Sequence, residues 1–182
     1  MESKLEWKIR RVPVYFHQSE KSFQRAHNLG SRPAAVSIKS PQKTQIHLSP
    51  RVNEKNVFQM LGHELIHIIF YQKYKDSIPR WLEEGFANYY SRHGKVNYSW
   101  LYKQKKFSDV TKMDHPFKTS SHPVEVHYKT SQALVEMLAE HCDLDNLLRL
   151  SVQKKLVDYI KRTCEIRDIN QVYRKWLTKK AA

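Results

Sequence analysis

The chain is 182 residues long, 40% hydrophobic and 27% charged, with only 4 glycines; that suits one compact domain, or a small two-lobed one, with a real core. Its 32 Lys+Arg against 18 Asp+Glu give a net charge of +14, an excess that attracts acidic surfaces such as nucleic acid, anionic lipid or an acidic protein. The longest apolar run, residues 65–70 interrupted by His67, is far shorter than the ~20 residues of a membrane span.

The basic residues do not gather into one block. They are scattered in pairs, among them Arg10-Arg11, Lys105-Lys106, Lys161-Arg162 and Lys179-Lys180, which reads first as solvated helix faces and second as a basic surface with an acidic partner. The N-terminus, Met1 to Lys8, has no apolar stretch of the kind a signal peptide carries, so a cytoplasmic location is expected. Cys142 and Cys164 have no CxxC partner and read as two partly buried thiols.

Residues 1–50 read as strands and turns. Residues 12–16 are β-branched and aromatic, and residues 34–39 and 45–48 alternate around a turn at Ser40-Pro41-Gln42-Lys43. A short helix over 23–29 is expected to close at Gly30. Ser49-Pro50 or Asn53 can then start a helix. From Val57 to Phe70 apolar residues fall on nearly every face, the pattern of a buried central helix. His63, Glu64 and His67 are the polar exceptions, and burying them is costly unless they are paired or bound to a metal.

Pro79 starts a second helix, about 80–92, ending near Gly94. Residues 94–122 read as loop with at most one short helix. Thr130 and Ser131 are cap candidates for a helix carrying Ala133, Leu134, Met137 and Leu138. Leu147, Leu148, Val152, Leu156 and Ile160 suggest a further, interrupted helix, and Asp168 caps a last one with Val172, Tyr173, Trp176 and Leu177. Strands first and helices afterwards predict an α+β domain spanning 1–182, divided at about residue 78.

The pentapeptide His63-Glu64-Leu65-Ile66-His67 carries the chemistry. Residues four apart share a helix face, so the two imidazoles can hold one metal ion, with Glu64 beside its open side as general base. Zinc lowers the pKa of a bound water to ~7, which makes hydroxide available near neutrality. A third ligand is needed. The HExxHxxGxxH pattern fails, because Phe70 and Lys73 stand where its glycine and histidine would be. His93 has no motif around it, and a downstream carboxylate fits best.

HELIH followed by Trp81-Leu82-Glu83-Glu84-Gly85-Phe86-Ala87 resembles the gluzincins, the metallopeptidase group that includes thermolysin and aminopeptidase N-like enzymes. The resemblance implies His63, His67 and Glu84 as ligands of one Zn2+ per chain, with Glu83 at a variable position. It implies small residues at Gly85 and Ala87 for close approach to the metal helix. It also implies Asn88 where thermolysin-like enzymes place an aspartate that orients a zinc histidine. Tyr128, Ser131, Leu134, Val135 and Leu138 are similar to a helix of small bacterial peptidase MA-like domains.

The implied fold is zincin-like: a small N-terminal mixed sheet with the active-site helix, then a helical C-terminal lobe. The implied activity is hydrolysis of a peptide or protein substrate. No segment corresponds to the aminopeptidase G-x-M-E-N, which favours an endopeptidase. Tyr128 is the preferred oxyanion donor, with His127 and His122 as alternatives. The remaining histidines, His17, His27, His47, His115 and His141, read as surface or hydrogen-bonded side chains. The competing reading is a non-catalytic binding module on the same scaffold that holds an acidic partner through its basic surface.

Overall fold

The computed structural model describes residues 10–75, 77–92, 94–113, 117, 122–150 and 155–182. His93, His115 and Val152 lie outside the described residues. Three short strands, β1 (Val14–Phe16), β2 (Ala35–Lys39) and β3 (Thr44–Leu48), form a mixed sheet. β3 is central, parallel to β1 and antiparallel to β2. The helices are α1 (Glu20–His27), α2 (Val57–Lys73), α3 (Arg80–Ser91), α4 (Tyr98–Lys103), α5 (Val124–His141), α6 (Leu144–Leu150), α7 (Leu156–Thr163) and α8 (Ile169–Ala181), with a 3-10 turn at Val110–Lys112. The α+β class and the order of sheet then helices agree with the sequence reading.

Side chains alternate across a strand, and β3 uses both faces. Ile46 and Leu48 point to α2 and form a small core with Ala35 and Ile68. His47 turns the other way, where its Nδ1 lies 2.9 Å from His17 Nε2. A larger core gathers Ile66, Ile69 and Phe70 of α2 with Trp81, Leu82 and Phe86 of α3 and Leu134, Met137 and Leu138 of α5. Helix α2 therefore serves two cores at once, with Leu65 packed against both. That is why it is apolar nearly all round. Phe58, in its first turn, is the exception: it is 86% exposed and belongs to neither core.

Several boundaries differ from those predicted. Helix α1 ends at Asn28, which adopts the left-handed conformation with φ 56°, so Gly30 is not its cap. Asn53 forms a turn ahead of α2, accepting from Lys55 N, and α2 begins only after Asn56. Helix α5 starts at Val124, after Pro123, about two turns before the predicted caps. Thr130 and Ser131 are buried in its interior, with the Ser131 backbone against Gly85 of α3. The interrupted helix is resolved into α6 and α7.

Gly85 explains the close packing of α3 on α5. A Cβ at this position would lie 2.2 Å from the Ser131 carbonyl oxygen and 2.8 Å from Val135 Cγ2. The small residue thus admits α5; the sequence reading had it admit the metal helix α2. The cysteines also differ from expectation. Cys142, at the end of α5, and Cys164, at the end of α7, are joined in a disulfide. Among the described residues no helix is long and apolar enough to cross a membrane.

Candidate metal centre

Helix α3 lies between α2 and α5, and its two adjacent glutamates reach the same histidine from different sides. His63 and His67, four apart on α2, present their Nε2 atoms to each other at 3.2 Å. Glu84 Oε2 completes a triangle, 3.4 Å from His63 Nε2 and 3.6 Å from His67 Nε2. Ligands at 2.0–2.1 Å around a tetrahedral ion are separated by about 3.3–3.4 Å. The three edges bracket that spacing, and the cluster could hold a metal ion. It combines two imidazoles and a carboxylate, all buried or nearly so, with relative exposures of 9%, 6% and 2%.

The second nitrogen of His67 fixes its tautomer. His67 Nδ1 lies 2.8 Å from Glu83 Oε1, so an N–H there donates to the carboxylate and leaves the Nε2 lone pair directed at the triangle. Glu83 is itself held. Lys39 Nζ, at the end of β2, donates to Oε1 at 2.8 Å, and Arg80 Nη1 donates to Oε2 at 3.2 Å. Burial pushes the Glu83 carboxyl up, but the bonds to His67 and Lys39 outweigh it and hold the group well below the usual carboxylate range. For His67 burial acts downward, while Glu84 and Glu83 together raise its proton affinity. Two lone pairs and a carboxylate oxygen facing one point attract a cation, whether a proton or a metal.

Asn88 does not take the orienting role that the resemblance implied. Its Nδ2 donates to the Tyr128 carbonyl at 3.4 Å and ties α3 to α5, and Glu83 supplies the carboxylate behind His67. The sequence leaves Glu83, at the variable position, as a group behind the ligands or facing solvent, and it stands behind His67. Nothing local revealed Lys39 as its partner, because the two lie 44 residues apart and meet only in the fold.

Glu64 follows the first histidine and is 8% exposed. Tyr128 packs edge-on to His63, ring centroids 6.2 Å apart. Burial first, then the charges of Glu84 and Glu64, raise the Tyr128 phenol far above its ordinary value, so it stays an O–H donor at any working pH. The alternatives lie elsewhere. His122 stacks on Phe107 at 3.9 Å, and His127 meets the same ring edge-on at 4.7 Å. Among the described ring contacts, Tyr128 alone of the three touches a metal-site histidine.

Comparison with protein-family models, with curated proteins and with solved structures finds no match. The functional reading therefore stands on the residues and distances above.

Proposed function

We propose that the protein is a zinc-dependent peptidase of gluzincin type, with His63, His67 and Glu84 as ligands and Glu64 as general base. The triangle of donor edges carries this reading. Two nitrogens and one carboxylate oxygen at tetrahedral spacing suit zinc, and three protein ligands leave the open position that a catalytic site requires. A bound zinc would supply an acidified water and would polarise the scissile carbonyl. Glu64 would take the proton from that water and deliver it to the leaving amine. Tyr128, kept protonated, would donate its O–H to the carbonyl oxygen as negative charge develops there.

The mixed sheet beside α2 supports the zincin-like arrangement, since β2 runs antiparallel to its neighbour at one edge and its last residue, Lys39, reaches the metal-site carboxylate. That edge would align an extended substrate by backbone pairing. No free-amine anchor was recognised in the sequence, so internal bonds are the proposed target. A binding module on this scaffold would have no use for Glu64, whose burial costs free energy without a catalytic return.

Glu64→Gln preserves shape and removes the base. With zinc-loaded protein and a pool of internally quenched peptides, the variant should lose at least about 100-fold in rate, the usual scale of a general base, while zinc content stays unchanged. A wild-type rate in the fully metallated variant would remove Glu64 from the mechanism.

A further inference from the structure

A cavity lies behind α5. Tyr128 faces His63, whereas Val126 and Thr130, each two positions away, leave the nearly opposite side of a helix that turns about 100° per residue. These two residues line a cavity of about 220 Å³ walled also by α4, the 3-10 turn and α8. None of its lining residues belongs to the metal centre.

The cavity is amphipathic. Its floor is buried and mainly apolar, formed by side chains such as Leu101 and Leu177. Two buried hydroxyls interrupt the floor, those of Tyr173 and Thr130, which lie close to each other. The rim carries Lys105, Lys106 and Arg174, all exposed. Among the described residues none of them pairs with a carboxylate: Lys106 Nζ lies 4.1 Å over the Tyr102 ring, and Arg174 Nε donates to the Asn170 carbonyl. Among the described residues no Asp or Glu lines the cavity.

Size and charge together narrow the occupant. An apolar cavity of about 150 Å³ accepts benzene, whereas drug-sized ligands occupy about 300 Å³ or more. The space here suits one ring with a short arm, or an alkyl chain of similar bulk. We propose that it binds a small amphipathic monocarboxylate, with the apolar body on the floor and the carboxylate among Lys105, Lys106 and Arg174. A neutral or cationic body of the same shape would leave three rim cations unmatched.

Calorimetric titration of the full chain with 3-phenylpropanoate, 3-phenylpropan-1-ol and 3-phenylpropylammonium tests this. The carboxylate should bind at least about tenfold more tightly than the alcohol, the ammonium should give no signal, and the preference should shrink as salt rises. Lys105→Glu with Lys106→Glu should remove the preference. Thr178→Trp, an exposed position on the rim, should block the mouth without disturbing the buried floor, and its thermal transition reports whether the fold is intact. Zinc-loaded and chelator-stripped protein should bind alike. Equal affinity for acid and alcohol would overturn the proposal, as would binding untouched by Thr178→Trp. Binding that vanishes with the metal would move the carboxylate to the metal centre and overturn it too.

Discussion

Truncating Glu83 would leave the buried His67 Nδ1–H without its acceptor, and Lys39 and Arg80 without their shared carboxylate. Outer partners of this kind are worth about 10–100-fold in metal affinity. Glu83→Ala should therefore weaken zinc binding by that factor in competition with a chromophoric chelator, and Glu83→Gln, which keeps an acceptor oxygen, should recover part of the loss. Unchanged affinity in both variants would make Glu83 a mere packing residue. The proposed ligands were legible in the sequence because helix geometry puts His63 and His67 together and the resemblance of the WLEEGFA segment supplies a carboxylate. The residue that holds Glu83 behind them was not. Lys39 sits on a strand distant in sequence, and no local pattern marks a residue for a contact made only after the sheet docks on α2. The Asn88 assignment failed as well: three residues on from Gly85, it shares the face turned to α5, where its Nδ2 donates to the Tyr128 carbonyl.

At the scale of elements, α3 packs between α2 and α5, and its approach to α5 depends on Gly85. Alanine in a helix interior is ordinarily better than glycine by about 1 kcal/mol. Here the added methyl would meet a backbone carbonyl and a valine methyl at 2.2 and 2.8 Å, and neither can move without shifting α5. Overpacking of this kind costs about 1–3 kcal/mol, enough to reverse the propensity gain. Gly85→Ala should lower the denaturant midpoint, and a raised midpoint would show that α5 yields freely. Helix and strand identities were readable from periodicity, as in the all-apolar pattern of α2. The ends were not. Helix α5 begins at Val124, after Pro123, and the polar pair Thr130 and Ser131 lies buried within it, because packing on its neighbours extends the helix beyond the point its local caps suggest.

Over the whole molecule, the disulfide closes the C-terminal lobe. Cys142 and Cys164 are 22 residues apart and hold the ends of α5 and α7 together. A loop of this length corresponds to about 3 kcal/mol in the chain-entropy account. Reduction, or the double change to serine, should lower the thermal transition measurably; an unchanged transition would mean that the pairing contributes nothing to the lobe. Disulfides persist in oxidising compartments, which sits against the cytoplasmic location expected from the N-terminal sequence. Two cysteines without a CxxC spacing gave no hint of pairing, since only the packing of α5 and α7 brings them within reach. The charge of +14 is likewise a property of the whole chain, and one place where it gathers is the cationic rim of the cavity behind α5.

The central claim is that His63, His67 and Glu84 form one metal site, and metal analysis of purified protein tests it most directly. After incubation with excess zinc and removal of free ion, the wild-type chain should retain one zinc, measured by elemental analysis. His67→Ala and Glu84→Ala should each fall well below that value while keeping a cooperative thermal transition. A wild-type chain that retains no zinc, or variants that retain as much as the wild type, would contradict the account.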